Sequence, residues 1–154
     1  MDKELKQTLL AICQKYDINS RYYSNIYSNM RPHLDMWVDG NDAKIKLSAT
    51  ENCYVGGSFH DLDIKLEVCL GGLNGYRYKA NGIICATDML ARAAGVAMPA
   101  MSAEKQDLLD VYTAMRKKVD AQQRAKSAVL SALEVQDLQR AFNIQLNEKS
   151  ANVR

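Results

Sequence analysis

The nine residues LDIKLEVCL, at 62–70, alternate without a fault. Leu62, Ile64, Leu66, Val68 and Leu70 share one side, and Asp63, Lys65, Glu67 and Cys69 share the other. A strand turns successive side chains to opposite faces, so this run has one dry face and one wet face. Antiparallel sheets covered on one side only carry this pattern. Two earlier runs repeat it. In LDMWVD, Leu34, Met36 and Val38 oppose Asp35, Trp37 and Asp39; in AKIKLSA, Ala43, Ile45, Leu47 and Ala49 oppose Lys44, Lys46 and Ser48. The intervening GND has turn chemistry. The two runs make a hairpin whose outer face sets Asp35 and Asp39 against Lys44 and Lys46, a modest aid to pairing. NCYVGGSF, at 52–59, reads as a weaker strand between them and 62–70. The expectation is a meander of four strands with one face covered by helices.

Helical periodicity brackets the sheet. Leu5, Leu9, Ile12 and Tyr16 lie on one face of a helix over 2–16, with Asp2 as N-cap. Ile18, Tyr22, Ile26 and Met30 predict a second helix over 19–30, ended by Pro32. GGLNG, at 71–75, breaks the sheet. A third helix is expected from Tyr76 to Ala94, with Ala80, Ile83, Thr87, Leu90, Ala91 and Ala94 inward and Gly95 as its stop. Gly82 and the pair Tyr76/Tyr78 count against its first turns, where a short fifth strand at 76–80 is the alternative.

After Ser102, a plausible cap, the chain contains no proline or glycine. One helix, or two with a break at 135–137, should run to Leu146. Unbroken, it would span on the order of 60 Å at 1.5 Å per residue. Leu108, Tyr112, Met115, Val119, Gln122, Lys126, Val129 and Leu133 follow at four-three spacing, a heptad seam that is polar at Gln122 and Lys126. Ala114, Ala121 and Ala128 run beside it. The seam either packs on its own domain or joins two copies, with Leu108, Tyr112, Met115, Val119, Val129 and Leu133 as the dimer contact. The fold class is therefore α+β, organised as a globular domain over 1–100, a helical segment over 101–147 and a flexible tail over 148–154.

Composition narrows the function classes. A net charge of +2 over 154 residues does not demand a nucleic acid. No apolar run approaches the roughly 18 residues of a membrane span, and MDKELKQTLL lacks the apolar core of a signal peptide. A cytoplasmic protein without a membrane partner is expected. Cys13, Cys53, Cys69 and Cys85 form no C-x-x-C pair and read as buried, reduced thiols. The only histidines, His33 and His60, are distant from them in sequence, so neither metal nor cofactor is expected.

GGSFHDLD, at 56–63, resembles a triad written in a row. Ser58 and His60 on a strand would sit roughly 7 Å apart, too far for an activated nucleophile. Enzymatic activity is not expected. Two stretches carry binding chemistry instead. RYYSNIYSNMR, at 21–31, gathers Arg21, Tyr23, Tyr27 and Arg31, residue types that dominate interaction hot spots. MRKKVDAQQRAK, at 115–126, sets Arg116, Lys117, Lys118, Arg124 and Lys126 against Asp120, which can bridge Lys117 and Arg124 at helical spacing. The function expected is binding of a protein or ribonucleoprotein partner, such as the inhibition of a host defence complex by a phage or mobile-element factor. No residue carries that last step. A nucleic-acid-binding dimer using the basic helix is the first alternative, and a secretion-type or assembly chaperone the second.

Overall fold

The computed structural model describes residues 1–23, 32–53, 60–71, 76–95 and 101–152. The elements are α1 (Lys3–Lys15), β1 (Asn19–Tyr23), β2 (His33–Asp39), β3 (Ala43–Cys53), β4 (His60–Leu70), β5 (Tyr76–Ile84), α2 (Ala86–Ala93) and α3 (Ala103–Asn152). The strands form one antiparallel sheet in sequence order. The chain is α+β, with one strand more than the four expected.

The period-two runs hold. Leu34, Met36 and Val38 on β2, Ala43, Ile45, Leu47 and Ala49 on β3, and Leu62 through Leu70 at alternate positions on β4 are all buried. Against them pack Leu5, Leu9 and Cys13 of α1 and Leu108, Leu109, Val111, Met115 and Val119 of α3. Burying a side chain of this size contributes roughly 1.5–3 kcal/mol each, so the alternation fixes which face the helices must cover. Among the described residues no polar or charged side chain lies in this core.

The predicted first helix is α1. Its N-cap is Asp2, whose carboxylate accepts from the Glu4 amide at 3.3 Å. Ser102 caps α3, accepting from the Lys105 amide at 3.3 Å. Gly95 follows α2 at φ +74°, the left-handed conformation that suits a helix stop.

Two helical expectations are overturned. Asn19–Tyr23 is a strand paired with β2, with Arg21 opposite Asp35 and Tyr23 opposite His33. Residues 24–31, including Tyr27 and Arg31, lie outside the described residues. Tyr22, expected inside, is 56% exposed. The tyrosine-rich stretch suits a strand as well as a helix, and the edge of β2 supplies the partner that decides between them. Likewise Tyr76–Ile84 is β5, longer than the short strand considered, and only Ala86–Ala93 is helical. The true alternation puts Tyr76, Tyr78, Ala80, Gly82 and Ile84 in register with the buried positions of β4. Ile83 and Leu90, expected inward, are each 49% exposed. Gly82 has a packing role: a Cβ there would lie 3.3 Å from Leu108 Cδ1, so its absence admits α3 close to the sheet.

NCYVGGSF does not make a strand of its own within the described residues; Asn52 and Cys53 end β3, and 54–59 lie outside them. GGLNG beyond Gly71 lies outside them too, as do residues 96–100. The final helix is unbroken at 135–137 and runs to Asn152. The chain divides into two compact units, Met1–Val119 and Asp120–Arg154. In the second, residues 121–145 are exposed except the half-buried Gln122.

Candidate binding surface on the open face of the sheet

Among the described residues, helices cover one face of the sheet, and the strand register displays the other. Its cross-strand rows read Arg21–Asp35–Ser48–Lys65–Asn81 and, beside it, Asn19–Trp37–Lys46–Glu67–Lys79. A further row reads Asp39–Lys44–Cys69–Arg77. An open depression of about 800 Å³ lies over these rows, lined by Arg21, Tyr23, Asp35, Trp37, Lys44, Lys46, Glu67, Cys69 and Arg77 among others. A second, of about 400 Å³, shares Lys46 and Glu67 and extends to Lys65, Lys79 and Asn81.

Aromatic and polar side chains brace one another at the β1–β2–β3 end. The Arg21 guanidinium lies over the Trp37 ring, 5.6 Å from its centroid. The Tyr23 ring stacks beside His33, centroids 6.4 Å apart. His33 Nε2 is 2.8 Å from Asp35 Oδ1, and its Nδ1 is 2.9 Å from Thr50 Oγ1. Asp35 Oδ1 also accepts from the Ser48 hydroxyl at 2.8 Å. The carboxylate is acceptor-only, so His33 Nε2–H donates to it, and in the neutral ring Nδ1 is left to accept from the Thr50 hydroxyl. This chain of contacts has the parts of a nucleophile-activating relay. Yet its members are direct cross-strand neighbours, His33 opposite Thr50 and Asp35 opposite Ser48. They lie on β2 and β3, which both have strands on either side. Ladder pairing there commits the backbone N–H groups that an oxyanion would require. The contacts orient these side chains across the ladder.

The hairpin charges are placed differently from the expectation. Asp39 faces Lys44, with Oδ1 and Nζ 3.7 Å apart, but Asp35 faces Ser48, and Lys46 faces Trp37. Lys46, Lys65, Arg77 and Lys79 make no ion pair among the described residues.

Of the expected partner surface, Arg21 and Tyr23 line the depression, carried by a strand and not a helix. The basic stretch is divided. Lys118 Nζ donates to the Gln14 carbonyl at 3.1 Å, and Arg116 is half-buried with a partner of its own. Lys117 is exposed in the first unit; Arg124 and Lys126 are exposed in the second. The expected dimer seam is divided too. Leu108, Met115 and Val119 are buried in the core of their own unit and Tyr112 is half-buried against it. Only Val129 and Leu133 remain exposed. The triad-like stretch resolves in part: Asp61 Oδ1 accepts from the Ala86 amide at 3.0 Å, capping α2 where Cys85 makes no side-chain bond. Ser58 lies outside the described residues.

The cysteines are not uniformly buried as expected. Cys13 is, and burial pushes its thiol up to about 11, an effect partly offset by its own backbone hydrogen bond. Cys69 is half-buried on the open face and Cys85 is exposed. No group of three metal-ligating side chains occurs among the described residues, and no described helix is long and apolar enough to cross a membrane.

Sequence reasoning passed over Trp37, Lys65, Arg77 and Lys79 as site residues. The signal was available for Trp37 and Lys65, wet alternates of strands whose dry alternates fixed the core; Arg77 and Lys79 lie on β5, where the sequence favoured a helix. Compared with known proteins, the chain matches no family model, no curated protein and no solved structure.

Proposed function

We propose that this chain is a non-enzymatic binding protein that holds a macromolecular partner, a protein or a ribonucleoprotein, on the open face of its sheet. One observation carries the reading: the helices of this fold cover a single face of a five-stranded sheet, and the other holds a depression of about 800 Å³ around Trp37 and Arg21. Tryptophan, tyrosine and arginine are the residues that anchor interfaces, because each buries a large area and keeps a polar handle. The depression is open and lined by side chains braced against each other, so little ordering is left for the moment of binding. The cross-strand geometry of His33, Asp35 and Thr50 supports a binding role over a catalytic one.

The test compares tagged wild-type chain with a Trp37→Ala, Lys46→Glu double variant and with Lys126→Glu as a control, in pull-downs before and after nuclease treatment. The double variant should lose the stoichiometric partner that the wild type and the control retain, with folding confirmed by circular dichroism. Equal capture by all three would overturn the assignment to this face.

A further inference from the structure

From the placement of charge and aromatic surface we infer that the open face binds single-stranded nucleic acid. This deepens the reading above and rests on it.

Six cations ring the two adjoining depressions: Arg21, Lys44, Lys46, Lys65, Arg77 and Lys79. Three carboxylates accompany them, Asp35, Asp39 and Glu67. The local surplus of three exceeds the +2 of the whole chain, so the remainder of the molecule, the basic stretch at 115–126 included, is on balance slightly acidic. Two of the carboxylates already have partners. Asp35 accepts from Ser48 and His33, and Asp39 sits 3.7 Å from Lys44. Of the six cations only Lys44 makes an ion pair among the described residues.

The pattern fits an extended polyanion better than a single phosphate. Lys46 and Lys79 flank Glu67 in one cross-strand row, and Lys44 and Arg77 flank Cys69 in the next. Adjacent strands lie about 4.8 Å apart, and same-face neighbours along a strand about 7 Å. Lys44, Lys46, Lys65, Arg77 and Lys79 therefore form a grid across β3, β4 and β5 and not a closed cradle. A backbone carrying a charge at every unit can meet several of them at once, and each contact releases a condensed counterion.

Trp37 selects the kind of polyanion. It is half-buried, faces Lys46 directly, and carries Arg21 against its ring. Aromatic rings and guanidinium planes are the surfaces on which unpaired bases stack, and every base has such a face, so recognition is tolerant of sequence. A duplex keeps its bases stacked on each other and cannot use this platform. An acidic protein would meet the lysines but has no repeating planar group for Trp37 and Arg21.

Trp37 is the only tryptophan in the chain, so intrinsic emission reports on this site alone. The full chain is titrated with unlabelled oligothymidylate and oligouridylate of about twelve nucleotides while Trp37 emission is followed, and fluorescence anisotropy of a labelled oligomer is read in parallel. Trp37 emission should be quenched with the binding isotherm. Affinity should fall about tenfold or more between 50 and 200 mM salt. Trp37→Ala should weaken the anisotropy isotherm about tenfold and Trp37→Phe much less. Lys46→Glu with Lys79→Glu should abolish it, and circular dichroism should show each variant folded. Absence of binding, binding that leaves Trp37 emission unchanged, or competition by a duplex as strong as by a single strand would each overturn the inference. If the oligomers fail while the Trp37→Ala, Lys46→Glu variant still loses a nuclease-resistant protein partner, the ligand class is wrong and the binding face stands. If that partner is retained as well, both fall.

Discussion

The two faces of the sheet are written by the same strands, residue by residue, and could hardly differ more. Ile64 is fully buried beneath helices while Lys65, its neighbour in the chain, is exposed above a groove. The buried core beneath the helices contains no polar side chain among the described residues. The open face holds the cations, the sole tryptophan and a hydrogen-bonded histidine. The contrast teaches where tolerance lies. On the covered face each side chain is fixed by close packing, so its identity is a matter of stability. On the open face water satisfies most polar groups, so residue choice is free to serve recognition.

Thiol chemistry should separate the faces most widely. With iodoacetamide at pH 8 and peptide mapping, exposed Cys85 should alkylate first and half-buried Cys69 next. Cys13, buried and with its thiol raised to about 11, should react more than about a hundredfold slower, through opening of the fold. Comparable rates at Cys13 and Cys69 would mean that the covered face is not closed.

Neighbouring substitutions come next. Ile64→Ala should cost about 2–5 kcal/mol in urea unfolding. Lys65→Ala should change stability by no more than about 0.5 kcal/mol. Similar losses at the two positions would break the comparison outright.

The smallest expected effect lies at the polar rim of the helical layer. Asp110 on α3 accepts from Lys6 of α1 at 2.6 Å and from Arg92 of α2. Burial pushes its carboxyl up, but the hydrogen bonds from Lys6 and Arg92 more than reverse this and hold it below its usual value. Folded Asp110 thus binds its proton less tightly than the unfolded chain does. Its contribution is complete above the unfolded value near 4 and disappears as pH falls through the depressed folded value. Asp110→Asn should cost about 1 kcal/mol at pH 7, and the gap to the wild type should close in unfolding curves taken below about pH 4. A gap that persists at low pH would assign the effect to packing. Lys6 behaves with the opposite sign. It is raised above 10.5, first by its hydrogen bond to Asp110 and then by that to Asp107, so its share is lost only as pH rises through the raised value.

Much of this arrangement was legible in the residues. The alternations at 34–39, 43–49 and 62–70 gave three of the strands and both faces, and Asp2, Ser102 and Gly95 marked helix ends correctly. Arg21 and Tyr23, singled out by residue type, line the depression on the open face. The remaining site residues were visible only as the complement of the core pattern, and nothing local separates Lys46 or Arg77 from any solvated charge. The basic stretch at 115–126 has the same limit: a run of cations in sequence says nothing about which of them, like Lys118, meets a carbonyl across the fold.

Periodicity by itself determined the core strands, the first helix and the final one as far as Val119, because each buries a stripe that only one repeat can align; beyond Val119 the helix is exposed through residue 145 apart from half-buried Asp120 and Gln122, and the lack of proline and glycine marked it. It could not determine β1 and β5. Their tyrosines, glycine and short apolar spacings fit either a helix or a strand, and the choice fell to hydrogen bonding with the edges of β2 and β4, partners distant from any local signal. The tertiary structure alone also made the open face a surface. The helices that bury Leu5, Leu9, Leu108 and Met115 cover one side of five strands, and which wet side chains converge around Trp37 is set by register across the sheet.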